Sequence, residues 1–228
     1  MTSLTVPGLP FPLVPEGSPP CAAEVSPDGS LRLTGRGGTD LFADPAGSTD
    51  PLPDAGRLTG VPPAGDFTLS ARVGVDFTDV YDAGALLLHA SERRWAKLAF
   101  EFSPQQRPTA VTVVTRGTSD DCNSFETDER ALWLRITRAG AAWAFHAATG
   151  EDAPWRLLRY FSLGEHGERD GAEPVSVGFL AQSPLGKGCT AGFTGITFAP
   201  GAREPGSTGS GAREAGGHGQ LGSAGTPM

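Results

Sequence analysis

Hydrophobic positions along this chain recur with a period of two, the signature of half-buried strands. Phe67, Leu69, Ala71, Val73 and Val75 alternate with polar residues across "FTLSARVGV" (67–75). "AGALLLHA" (83–90) is apolar on both faces, which predicts a central strand covered on both sides. After a short polar turn at Ser91–Arg93, "RWAKLAFEF" alternates again, so the two segments read as a hairpin. "TAVTVVTRG" (109–117) is β-branched throughout. "SDDCNSFETDER" (119–130) reads as a polar connection. "ALWLRITRAG" (131–140) and "AAWAFHAATG" (141–150) form a second predicted hairpin. Further strands are predicted at 155–163, 174–183 and 192–200. Near the N-terminus, Ser-Pro-Asp-Gly at 26–29 marks a hairpin turn. Residues 43–60 read as one long loop. No amphipathic helix is predicted, and short strands separated by turn signals indicate an all-β sandwich or barrel.

Composition divides the chain into three parts. Residues 1–20 are Pro-rich, residues 21–200 hold the predicted strands, and residues 201–228 form a Gly-rich tail without an aromatic residue. Such a tail cannot bury enough apolar surface to offset its ordering entropy and is expected to be disordered. The formal net charge is −8 and no run of lysine or arginine occurs, so phosphate neutralisation and nucleic-acid binding are not expected. The N-terminal stretch has no signal-peptide pattern and no segment approaches the length of a membrane span. With three widely spaced cysteines (Cys21, Cys122, Cys189), a cytoplasmic protein with reduced thiols is expected, with no membrane association.

The chemistry-bearing residues gather on strand faces. In "RWAKLAFEF", Leu98, Phe100 and Phe102 face one way and Trp95, Lys97 and Glu101 the other. Lys97 and Glu101 are ~13 Å apart along an extended strand. In "ALWLRITR", Leu132, Leu134 and Ile136 point inward, leaving Trp133 and Arg135 outward. A flat aromatic beside charged donors and acceptors is a combination that binds sugars. Thr115, Ser119, Asp120 and Gln182 are expected to add polar contacts. An ordinary solvated face with an ion pair of little energetic weight is the plain alternative.

Other chemistries find less support. No strand carries acids at alternate positions, so a glycoside hydrolase requires carboxylates supplied by loops, such as Asp120 or Asp121 approaching Glu101. Asp40, Asp44, Asp50 and Asp54 crowd one loop, without ordered ligand spacing for calcium. Neither the histidines nor the cysteines have zinc spacing. No phosphate loop or nucleophile elbow is present. No catalytic residue, metal or cofactor is therefore assigned.

Six ordered blocks then carry a resemblance. "TDLFADP" (39–45), "PPAGDFTLSARVGV" (62–75), "YDAGALLLHASERRWAKLAFEF" (81–102), "TAVTVVTRGTSD" (109–120), "LWLRITR" (132–138) and "VGFLAQSP" (177–184) together resemble the DUF1349 family. The resemblance implies the concanavalin A-like lectin/glucanase jelly roll, two curved antiparallel sheets packed face to face. It supplies no reaction. The family includes a fungal cytosolic protein linked to enolase and galactose metabolism, which suggests a regulatory module acting on a metabolic enzyme as an alternative. In this family an aromatic residue commonly follows the Ser-Asp pair. Here Asp121 and Cys122 follow Ser119-Asp120. The leading expectation is non-catalytic binding of a carbohydrate or polyhydroxylated metabolite in the groove of one sheet, with oligomeric state left open.

Overall fold

The computed structural model describes residues 3–17, 20–47, 54–164 and 174–201. Fourteen strands form two seven-stranded antiparallel sheets, and no helix occurs among the described residues. The strands are β1 (Val14–Glu16), β2 (Ala22–Val25), β3 (Leu31–Arg36), β4 (Arg57–Gly60), β5 (Phe67–Val75), β6 (Ala83–Ser91) and β7 (Arg94–Phe102). They continue with β8 (Pro108–Arg116), β9 (Thr118–Glu126), β10 (Ala131–Ala139), β11 (Ala142–Ala148), β12 (Arg156–Phe161), β13 (Ser176–Gln182) and β14 (Gly188–Pro200). The first sheet runs β1-β4-β13-β6-β7-β8-β9 and the second β12-β11-β10-β5-β14-β3-β2.

Period-two alternation produces this sandwich directly. Leu69, Ala71 and Val73 of β5 face Leu86 and Leu88 of β6, Leu98 and Phe100 of β7, and Leu132, Leu134 and Ile136 of β10 in one core between the sheets. The expected sandwich, the hairpins β6–β7 and β10–β11, and the turn at Ser26–Gly29 are all present. Gly29 and Gly140 hold the left-handed backbone that tight turns require.

Three segments differ from the sequence reading. Residues 119–130 are not simply a connection, because Thr118–Glu126 is strand β9, paired with β8 across a turn at Gly117. The long loop at 43–60 contains β4 at its end, paired with β1 and β13. The Pro-rich N-terminal segment packs into the same core through Val6, Leu9, Phe11 and Leu13, and Leu4 and Leu13 exchange backbone hydrogen bonds. The tail expected to be disordered lies outside the described residues from 202 onward.

The outer face of the first sheet is not bare. Ala83, Ala85, Leu87, Trp95, Ala99, Val111, Val113 and Leu180 form a second, smaller apolar cluster there. Leu41 and Ala55, from the segment between β3 and β4, lie over it. Covered on both sides, β6 is buried over most of its length, as its two-faced apolar composition predicts.

Candidate functional site

Beside the small Ala83 and Ala85 of β6 and Ala99 of β7, the outer layer also carries longer polar side chains. The register puts Lys97 opposite Leu87 and Val113, Glu101 opposite Ala83 and Thr109, Gln182 opposite Ala83, and Asp121 opposite Val113. A cavity of about 240 Å3 results, lined by Asp40, Phe42, Tyr81, Lys97, Glu101, Val113, Asp121 and Gln182.

Lys97 is the buried cation of this cavity, with 2% of its surface exposed. Its Nζ donates to the Leu41 carbonyl and to Gln182 Oε1, both at 2.8 Å, and pairs with Asp40 Oδ1 at 3.5 Å. An ammonium has three donors, and these partners employ all three. Glu101 is 7% exposed and makes no hydrogen bond or ion pair among the described residues. Burial pushes its carboxyl up from 4.5 to about 8, against the pull of Lys97 and with the push of Asp121 and Asp40. Asp121 is also raised, first by burial, and Lys97 again opposes the shift.

The walls come from two loops. Ser119 Oγ accepts from the Ala43 backbone N–H at 2.9 Å, Ser119 N–H donates to the Ala43 carbonyl at 2.8 Å, and Thr115 and Ser119 hydroxyls join at 2.9 Å. These bonds anchor the segment that carries Asp40, Leu41 and Phe42. On the other side Asp82, fully buried, organises the turn before β6. Its Oδ2 accepts from Thr78 N–H, Thr78 Oγ1 and Asp79 N–H at 2.9 Å each, and its Oδ1 accepts from Ser183 Oγ at 2.6 Å. Charge-assisted bonds of this kind are strong. They hold Tyr81 at φ 70°, a left-handed conformation uncommon for a bulky residue. Its N–H is fixed to the Phe102 carbonyl at 2.7 Å. Phe42 and Tyr81 are each 38% exposed.

The nine residues singled out from sequence therefore separate into groups. Lys97, Glu101 and Gln182 line the cavity. Trp95, Thr115 and Ser119 lie on the same face, but all three are buried. Trp95 is packing rather than an open platform, and Thr115 and Ser119 anchor a loop. Asp120 points the opposite way, where Arg159 of the other sheet pairs with it. Its neighbour Asp121 takes the cavity position. Trp133 and Arg135 are not beside Lys97 at all, since β7 belongs to the first sheet and β10 to the second. Their side chains lie on the far outer face of the sandwich. There Arg135 stacks on Trp155 at 3.6 Å, and Trp133 covers Gly195, where any Cβ would approach the indole to 2.6 Å. Both strands alternate identically, and alternation does not say which sheet a strand joins. The sequence reading did not assign Asp40, Phe42, Tyr81 or Asp121 to the site. For Asp121 a signal existed: continuing the hairpin through Gly117 places Ser119 and Asp121 together on the Thr115/Val113 face.

Part of the acidic loop lies within the described residues. Asp40 pairs with Lys97 and Asp54 with Arg57 at 3.2 Å, while Asp50 lies outside the described residues. The three cysteines are free, with Cys189 buried and Cys122 exposed. No helix of the described residues is long and apolar enough to cross a membrane.

Solved structures share this architecture. A functionally unknown protein from Saccharomyces cerevisiae is similar with a TM-score of 0.69 at 19% identity, over 82% of this chain and 96% of that one. The GH43 protein BlXynB from Bacillus licheniformis gives 0.59 at 15% identity, over 75% of this chain but 33% of its own. The carbohydrate binding module CBM66 from Bacillus subtilis gives 0.51 at 10% identity, over 86% and 99%. The chain thus spans about a third of the GH43 protein. At these identities the likeness is one of fold. No curated protein matches the sequence. The family model described as "Protein of unknown function (DUF1349)" matches residues 18–201, and the chain belongs to that family.

Proposed function

We propose that the cavity on the outer face of the first sheet binds a small polyhydroxylated ligand, a monosaccharide or a metabolite of that size, without chemical turnover. The observation that carries this reading is Glu101, a buried carboxyl that lines a cavity and has no protein partner among the described residues. The hydrogen-bonding capacity of this carboxyl faces the cavity, where a ligand hydroxyl can take it up. Asp121 offers further acceptors, and Phe42 and Tyr81 offer flat apolar faces for the C–H side of a ring. The volume lies just under the ~300 Å3 lower end for drug-sized ligands, which suits a single sugar ring. Fold likeness to a carbohydrate binding module and to part of a GH43 protein supports the same reading.

The test is a calorimetric titration with glucose, galactose, xylose and fructose. Saturable binding by at least one, weakened in both Phe42→Ala and Asp121→Asn, is the expected result. Phe42 and Asp121 are partly exposed or at an edge strand, so both variants retain the fold. Absence of binding at millimolar sugar overturns the polyol reading. A hydrolytic reading draws on one specific observation: Glu101 held protonated in the same cavity as Asp121 has the character of a general acid beside a carboxylate. Release of reducing ends from oligosaccharides, lost in Glu101→Gln, would establish it in place of simple binding.

A further inference from the structure

The charge of the cavity says more about its ligand than its shape does. Three carboxyl groups, Asp40, Glu101 and Asp121, line it against one ammonium, Lys97. That ammonium is already committed to Leu41, Gln182 and Asp40. Asp40 is satisfied in return, since it pairs with Lys97 and its Oδ1 also accepts from the Leu41 N–H at 2.7 Å. Glu101 and Asp121 remain on the cavity side at different heights: the register aligns the exposed Asp121 with Lys97 across β8, and Glu101 stands four residues further along β7. Neither has a hydrogen bond from a side chain or an ion pair among the described residues. A neutral hydroxyl donates one hydrogen bond to a carboxylate. A primary ammonium donates three, and charge-assisted hydrogen bonds to a carboxylate are the stronger kind. Half-exposed aromatic faces at Phe42 and Tyr81 suit a cationic ligand as well as a sugar ring.

We propose that the cavity selects a ligand bearing a protonated primary amine, an amino sugar within the class proposed above, with its ammonium on Glu101 and Asp121 adding negative charge at the cavity's other end. The sugar part of this assignment rests on the polyol reading, whereas the amine part rests on the buried Glu101 and the excess of carboxyl groups around it. The ring then lies toward Phe42 and Tyr81, and its hydroxyls reach Gln182 and Asp40.

Proton bookkeeping gives the assignment a signature. Near pH 7 the Glu101 carboxyl keeps its proton, facing Lys97 on its own strand, Asp121 on β9 and Asp40 on the β3–β4 segment, with Gln182 and Tyr81 uncharged around it. An arriving ammonium favours the carboxylate, so Glu101 gives up its proton to the buffer as the ion pair forms. A neutral sugar displaces no proton.

The experiment is calorimetry on the full chain at pH 7 with glucosamine, glucose and ethanolamine, repeated in phosphate and Tris buffers, whose ionisation enthalpies differ. Glucosamine and glucose differ only at the 2-amino group. Glucosamine is expected to bind about tenfold or more tighter than glucose, the gain of a charge-assisted hydrogen bond. Its apparent enthalpy should differ between the buffers by an amount that reports proton release of up to one per site. Glu101→Gln, which preserves shape, should abolish both the preference and the proton release, and Asp121→Asn should reduce the preference. Glucose binding as tightly as glucosamine overturns amine selection and leaves the polyol reading standing. Ethanolamine binding with proton release while no sugar binds supports the amine and removes the sugar. No binding of either amine overturns the proposal.

Discussion

Replacing Glu101 by glutamine should change how the stability of this protein depends on pH. The carboxyl sits at about 8 in the folded chain and at 4.5 when unfolded, chiefly because of burial. Between those values the folded state holds a proton that the unfolded state has released. Unfolding then gives up a proton, so stability falls as pH rises, by about 1.4 kcal/mol per pH unit. The effect is absent below 4.5, where both states are protonated, and complete above 8. Across that gap it amounts to about 5 kcal/mol. Glutamine has the same shape and no proton to lose. The variant should match the wild type near pH 4.5 and exceed it by about 3–5 kcal/mol near pH 8. Urea unfolding from pH 4.5 to 8.5 measures this directly. With a slope of about 2 kcal/mol per molar urea, the wild-type midpoint should fall relative to the variant by about 0.7 M per pH unit. The raised pKa of Asp121 tilts both proteins in the same direction, so the difference between the profiles isolates Glu101. Parallel profiles would refute the reasoning and show that Glu101 ionises in the fold as readily as it does outside it.

Other outcomes follow from the same geometry. Lys97→Met keeps the stem and removes the cation from Gln182, Leu41 and Asp40. It should cost about 3 kcal/mol in chemical unfolding at pH 6, where Glu101 is still neutral. Trp133→Ala should leave the affinity of any cavity ligand within about twofold by calorimetry, because Trp133 lies on the opposite sheet. Thiol labelling followed by mass spectrometry should modify the exposed Cys122 first. Cys189, buried with its thiol pushed up to about 12, should react only on unfolding.

The strands were legible because each buries one face, and burial writes a period of two into residues such as Leu98, Phe100 and Phe102. Lys97 and Glu101 could be recognised as unusual for the same reason, being charged residues on the second face of a strand. Their apparent partners Trp133 and Arg135 could not be placed, because the connection from β9 to β10 crosses between sheets and leaves no local trace. Asp121 was obscured by composition: β9 carries Ser, Asp, Asp, Cys and Asn, residues typical of a loop, yet it is an edge strand held by pairing with β8. Asp40 and Phe42 come from a segment with no periodicity, positioned by Ser119 many residues away. Tyr81 depends on the buried Asp82, whose role shows only once the turn is closed around it.

The β3–β4 segment has a consequence for how the cavity comes into being. Its ends are fixed in different sheets, β3 in the second and β4 in the first, and between them Ala43 is fastened to Ser119 at the start of β9. The floor of the cavity can form within one meander of neighbouring strands, but the wall arrives only when the two sheets have met. Contacts of such long sequence separation form late and slowly. A fragment containing only β6 to β9 would carry Lys97, Glu101 and Asp121 with nothing to enclose them. Binding in the cavity, as proposed, would therefore report on completed assembly, and a bound molecule would stabilise the closure of the whole sandwich rather than of one hairpin.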